Sequence, residues 1–233
     1  MSTAEAIERE EFGVPETPRA SATNVNATVL YGIPWETYVA LREMPENFHV
    51  RMTYDDGMLE LMSPKKPHGR PWKTLSMFVA VYCEEWDIPQ VSFADLTLQL
   101  EKTKKGAEPD DCFYIGESVE LGMDEERPAE DPPPDLMIES DWTSSSKSRL
   151  QLYAKLKIPE VWRWKRETLE ILRLSTAGDY EPSELSQILS GFPAQEAAEL
   201  IRSRTRIGRN DTVLIKEFRK LIADLKNAGE TDE

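Results

Sequence analysis

Two helical stretches with three short strand-like segments between them set most of what this chain can become. In WKTLSMFVAVYCEEW, the apolar residues Leu75, Phe78, Val79, Tyr82 and Trp86 recur at spacings of three and four, which predicts a helix with one broad buried face. VSFADLTLQL, EPDDCFYIG and PPDLMIESD then bring strand-type residues separated by turn residues. TSSSKSRLQLYAKL returns to helical spacing: its hydroxyl run suits a helix cap, and Leu150, Tyr153 and Leu156 share a face. PEVWRWK and LEILRL follow as a strand pair turning at Arg166. Helix, three strands, helix and strand in this order predict an α/β (α+β) fold, a mixed central sheet flanked by helices.

A hairpin precedes this core. HVRMTYDDGMLELMSP sets Asp56-Gly57 between two alternating segments, and an Asp-Gly pair favours a tight turn with positive φ. Before it, IPWETYVALREMP predicts a short amphipathic helix ended by Pro45, and after it Pro64 stops the second strand. Residues 1–30 lack periodicity and read as a mobile arm, residues 31–220 as a single domain, and residues 221–233 as a flexible acidic tail. The C-terminal third before that tail reads as helical.

The sequence has no uninterrupted run of the roughly 18 apolar residues that a membrane helix needs, and acids stand where a signal peptide would be basic and then apolar. Only Cys83 and Cys112 are present, too few for a disulfide framework. A soluble protein of the reducing cytoplasm is the expectation. The net charge of −15 argues against a nucleic-acid partner, because phosphate contact draws on Lys and Arg. Residues 1–20 and 221–233 each carry −3 of it, however. Within the body, bases gather at Lys65, Lys66, Arg70 and Lys73, at Lys102, Lys104 and Lys105, and at Arg202, Arg204, Arg206 and Arg209. These read either as solvated surface charges or as a basic face.

Side chains alternate along a strand, so Asp135, Met137, Glu139 and Asp141 share one face and Leu136, Ile138 and Ser140 the other. Were the preceding strand to pair alongside, Asp110 would approach Glu139. Convergent carboxylates form a hard oxygen site suited to Mg²⁺ or Mn²⁺; acids that cap loops or face solvent are the alternative.

EPDDCFYIG at 108–116, PPPDLMIESDWTSSS at 132–146 and LYAKLKIPEVWRW at 152–164, with GMLELMSP of the hairpin and His68 after it, resemble in order and spacing the Uma-two family of restriction-endonuclease-like proteins. The likeness runs from Tyr31 to Leu174, and more loosely to residue 220. It implies a PD-(D/E)XK nuclease fold, a DNA substrate, a bound Mg²⁺ or Mn²⁺, and hydrolysis of phosphodiester bonds. Carried over by position, it makes Asp110 and Glu139 the metal ligands and gives Glu60 and His68 places near the metal. Restriction nucleases often work as dimers, so the fold type also implies a homodimer.

One departure stands out. Asp141 occupies the second place after Glu139, where the pattern has lysine, and the helix position that takes over this cation in many relatives is Arg149 here. An arginine keeps the charge and can grip a phosphate in two places, but it does not act as a base. Lys147, two residues earlier, points about 200° away on a regular helix. The lost lysine also fits another class of function, a degenerate nuclease fold that binds nucleic acid or a protein partner without cutting. Ser144 and Lys147 match a Ser-x-x-Lys spacing, but no companion motif of acylating enzymes accompanies it. Paired carboxylates serve glycosidases too, without other support in this sequence. Trp162 and Trp164, alternate on a strand, read as core.

Overall fold

The computed structural model describes residues 27–62, 70–94, 96–101, 104–122, 132–140, 146–207 and 210–229. The expected hairpin forms from β2 (Arg51–Asp55) and β3 (Met58–Met62), following β1 (Ala27–Leu30) and α1 (Trp35–Glu43). Its two-residue turn has φ of 42° at Asp56 and 91° at Gly57, the left-handed conformation that an Asp-Gly pair tolerates. The turn sets the register, pairing Asp55 with Met58 and Thr53 with Glu60.

This hairpin is the middle of a larger unit than the sequence suggested. Strands β5 (Leu98–Leu100) and β6 (Lys105–Ala107) extend it to a five-stranded antiparallel sheet ordered β1-β3-β2-β6-β5. Its apolar face packs Met52, Tyr54 and Leu59 against Trp35 and Tyr38 of α1. Ala27–Leu30, expected within the arm over residues 1–30, instead pair with β3; residues 1–26 lie outside the described residues.

After α2 (Arg70–Glu85) the chain builds a second sheet from β4 (Gln90–Ser92), β7 (Asp111–Ile115), β8 (Leu136–Ser140), β9 (Glu160–Lys165), β10 (Thr168–Leu174) and β11 (Tyr180–Ser183). The short helix α3 (Val119–Gly122) follows β7, α4 (Ser146–Lys155) links β8 to β9, and α5 (Ala194–Ile207) and α6 (Asp211–Gly229) close the fold. Spatial order is β11-β10-β9-β8-β7-β4. Only β8 and β9 run parallel, and α4 makes their crossover; the other neighbours are antiparallel. This is the mixed sheet flanked by helices. VSFADLTLQL, read as one segment, divides between the two sheets because β4 pairs with β7 and β5 with β6.

Alternation on β8 sorts two cores. Leu136 and Ile138 join Leu75, Phe78 and Val79 of α2 with residues of α5 and α6, while Met137 packs with Leu152 and Tyr153 of α4 and with Leu156 just after it. Trp162 and Trp164 lie in the first cluster, as core residues should. The expected acidic tail is a correction: helix α6 continues to Gly229, because Ile222 is fully buried and Lys226 lies over the Trp86 ring. Two residues of the basic clusters are engaged in the described structure. Lys105 is buried and paired with Asp55, and one guanidinium nitrogen of Arg202 donates to the Glu167 carbonyl. Lys65, Lys66, Lys102 and Arg209 lie outside the described residues. No described helix is long and apolar enough to cross a membrane.

Candidate active site

Strands β7 and β8 are antiparallel, with Asp111 opposite Ile138 and Cys112 opposite Met137. One further step along this register sets Asp110 opposite Glu139, on the face that carries Met137 and meets α4. Twenty-nine residues apart in sequence, the two acids line one cleft. The far wall comes from the hairpin, whose polar face offers Arg51, Thr53 and Glu60. Helix α4 adds Arg149, and the segment before β7 adds Glu108. The space between the walls accommodates about one water-sized sphere.

Asp110 is 8% exposed and engaged on both oxygens. Its Oδ2 accepts a hydrogen bond from the Ser140 backbone N–H at 2.6 Å, and its Oδ1 is ion-paired with the Arg51 guanidinium. Glu139 is 5% exposed; its Oε1 accepts from the Tyr153 hydroxyl, and its Oε2 lies 3.6 Å from the Arg149 guanidinium. Arg149 and Tyr153, four residues apart, share a face of α4, which is how both reach the same carboxylate.

Burial raises both carboxyls. The Glu139 carboxyl is pushed up to about 7, first by desolvation and also by the Asp110 charge, against the opposing pull of Arg149 and the Tyr153 hydroxyl. Asp110 is raised in the same way by burial, with Arg51 and the Ser140 N–H pulling against it. Burial opposes the charge of Arg149, yet Glu139, Tyr153, Asp110 and Glu60 around it keep it cationic. Tyr153 is held well above its ordinary value by burial and by Glu139, so it remains a donor.

Four carboxylates, Glu60, Glu108, Asp110 and Glu139, line the cleft against two guanidiniums. Glu108 is further paired with Arg42 at 2.5 Å. The cleft thus has the donor type and the acidic excess that a hard divalent cation requires. No three His, Cys, Asp or Glu side chains among the described residues converge on one point as a metal cluster. A site of two carboxylates still fits Mg²⁺, which keeps waters and takes phosphate oxygens as its remaining ligands. Asp110 and Glu139 would hold such an ion.

Of the residues singled out from sequence, Asp110, Glu139, Glu60 and Arg149 come together. His68 and Asp141 lie outside the described residues, as does the side chain of Lys147. Three participants were not foreseen: Arg51, Glu108 and Tyr153. Two left a trace. The Asp-Gly turn places Arg51 and Glu60 on the same hairpin face, and Tyr153 stands one helical turn after Arg149.

A family model described as "Uma2: Putative restriction endonuclease" matches residues 35–202. Among solved structures, a putative nuclease of the DUF820 group from Anabaena variabilis is similar at 15% identity and a TM-score of 0.47, covering 80% of this chain and 99% of that one. No curated protein matches.

Proposed function

The chain belongs to the Uma2 family of restriction-endonuclease-like proteins, and from that premise we propose that it is a metal-dependent endonuclease that hydrolyses phosphodiester bonds of DNA. The observation that supports this reading most is the burial of Asp110 and Glu139 in one cleft beside Arg149. Two carboxylates crowded in low dielectric are costly unless a cation offsets them.

A divalent ion held there supplies Lewis acidity toward a phosphate oxygen and a more acidic water at neutral pH. The protein's own groups do the rest. The Ser140 N–H fixes Asp110, and the Tyr153 hydroxyl fixes Glu139, so the donor atoms are oriented before a ligand arrives. Arg149 stays charged and offers stabilisation to a phosphate that gains negative charge during cleavage. Its Nε is buried without a hydrogen-bond partner among the described residues, a donor direction that a phosphate oxygen could satisfy. Since arginine does not act as a base, proton removal from the attacking water falls to solvent or to a carboxylate of the cleft. Glu60, on the opposite wall, would orient that water.

The test is conversion of supercoiled plasmid in Mg²⁺, Mn²⁺ and EDTA by the wild type, Asp110→Asn and Glu139→Gln. Metal-dependent nicking lost in both variants supports the reading. Cleavage that survives in EDTA or in both variants refutes it.

A second reading keeps the fold and drops the chemistry. Both carboxylates already have arginine partners and the cleft is tight, which favours a protein that binds nucleic acid without cutting it. It predicts DNA affinity insensitive to Mg²⁺ and an intact plasmid under every condition.

A further inference from the structure

Arg51 and Arg149 face the same cleft from opposite walls but stand in different relations to it. Arg149 is buried on α4, held among several acids, with its Nε unpartnered among the described residues. Arg51 projects from the hairpin and is ion-paired with Asp110 Oδ1. The other Asp110 oxygen is committed to the Ser140 N–H. Oδ1 is therefore the oxygen a divalent cation would take, and on it the cation meets the like charge of Arg51. The side chain of Arg51 is 15% exposed, so it has access to the space into which a phosphodiester would enter.

We propose that Arg51 is a metal-displaced phosphate ligand: it is the counter-ion of Asp110 while the cleft is empty, and it grips the substrate phosphate once a divalent cation holds that carboxylate. The inference rests on the nuclease reading above and adds a residue and an order of events to it. Placed so, Arg51 is the ion-pair partner of a buried carboxylate in the resting protein, beside the Ser140 N–H and the charge of Arg149. It also ties substrate binding to metal binding, because the guanidinium becomes available to a phosphate only after the ion arrives. Planar, bidentate recognition suits arginine to that second task, and lysine would serve it less well.

Mn²⁺ titration calorimetry on the wild type, Asp110→Asn, Arg51→Met and Arg51→Lys, beside cleavage kinetics and duplex-DNA anisotropy, tests this. Loss of a competing cation should make Arg51→Met bind Mn²⁺ about threefold or more tightly, while its KM for DNA in Mn²⁺ rises about tenfold, the scale of one lost charge-assisted hydrogen bond. In EDTA the wild type and Arg51→Met should hold duplex DNA equally. Arg51→Lys keeps the charge and should lie between them, with a melting temperature that verifies the fold. Mn²⁺ affinity in Arg51→Met equal to or below that of the wild type overturns the inference and leaves the nuclease reading in place, provided Asp110→Asn loses the ion. Absence of Mn²⁺ uptake by the wild type overturns both.

Discussion

Removing one hydroxyl, by Tyr153→Phe, should cost stability in a pH-dependent way. The Tyr153 side chain is fully buried and its hydroxyl donates to Glu139 Oε1. A buried hydrogen bond to a charged acceptor contributes about 1.5–3 kcal/mol, and one to a neutral acceptor about 0.5–1.5 kcal/mol. Which figure applies depends on the proton of Glu139. Its carboxyl is raised in the folded protein from 4.5 to about 7. The proton-bound form therefore favours folding fully below about 4.5, and that contribution is lost as pH rises through 7, at up to about 1.4 kcal/mol per pH unit. At pH 5.5 the phenylalanine variant loses a bond to a neutral carboxyl, and at pH 9 it loses a bond to a carboxylate. Urea unfolding of both proteins in EDTA at pH 5.5, 7 and 9 should show a cost that grows with pH, from near 1 toward about 2 kcal/mol or more. A cost that is equal at both ends, or larger at pH 5.5, refutes the assignment of that hydroxyl to the charged form of Glu139.

Other consequences are simpler to read. Phe218 of α6 is fully buried and stacks on Phe78 with ring centroids 4.2 Å apart, so Phe218→Ala should cost about 3–5 kcal/mol in urea unfolding. A Cβ added at Gly106 would come within 2.1 Å of the Tyr38 hydroxyl, and Tyr38 has no exposed surface into which to retreat. Gly106→Ala should therefore lower the melting temperature, with a cost of about 1–3 kcal/mol. Cys83 and Cys112 are buried, and burial pushes the Cys83 thiol up to about 11; neither should react with a thiol reagent at pH 8 until denaturant is added.

The core and the face of β8 that carries Glu139 were legible in the sequence because each rests on a local rule. Three-and-four spacing identified α2, alternation on Leu136–Ser140 separated Glu139 from Ile138, and Asp56-Gly57 specified the hairpin register. Features that depend on distant pairing were not legible. Strands β5 and β6 are three residues each and find their partners across the chain, as Gly106 does opposite Tyr54. The acidic composition of residues 221–233 concealed the packing of Ile222 on the first core helix, since an average over a segment hides one buried face. Tyr153 was read as core, which it is, but burial in a core does not exclude a hydroxyl aimed at a carboxylate. Glu160 was passed over entirely. It is fully buried, and its carboxylate accepts from Trp162 Nε1, the Ser186 hydroxyl and the Gln187 N–H, anchoring the loop before α5.

The position of α6 bears on the order in which the molecule can be made. Phe218 and Ile222 close the cluster over Phe78, a helix formed some 140 residues earlier, and the same cluster backs Leu136 and Ile138 of the strand that carries Glu139. A nascent chain in which α6 has not yet emerged from the ribosome lacks one side of that strand's support. Domains tend to fold as units during synthesis, so β8 gains that support only after residues 211–229 have been made and α6 has docked.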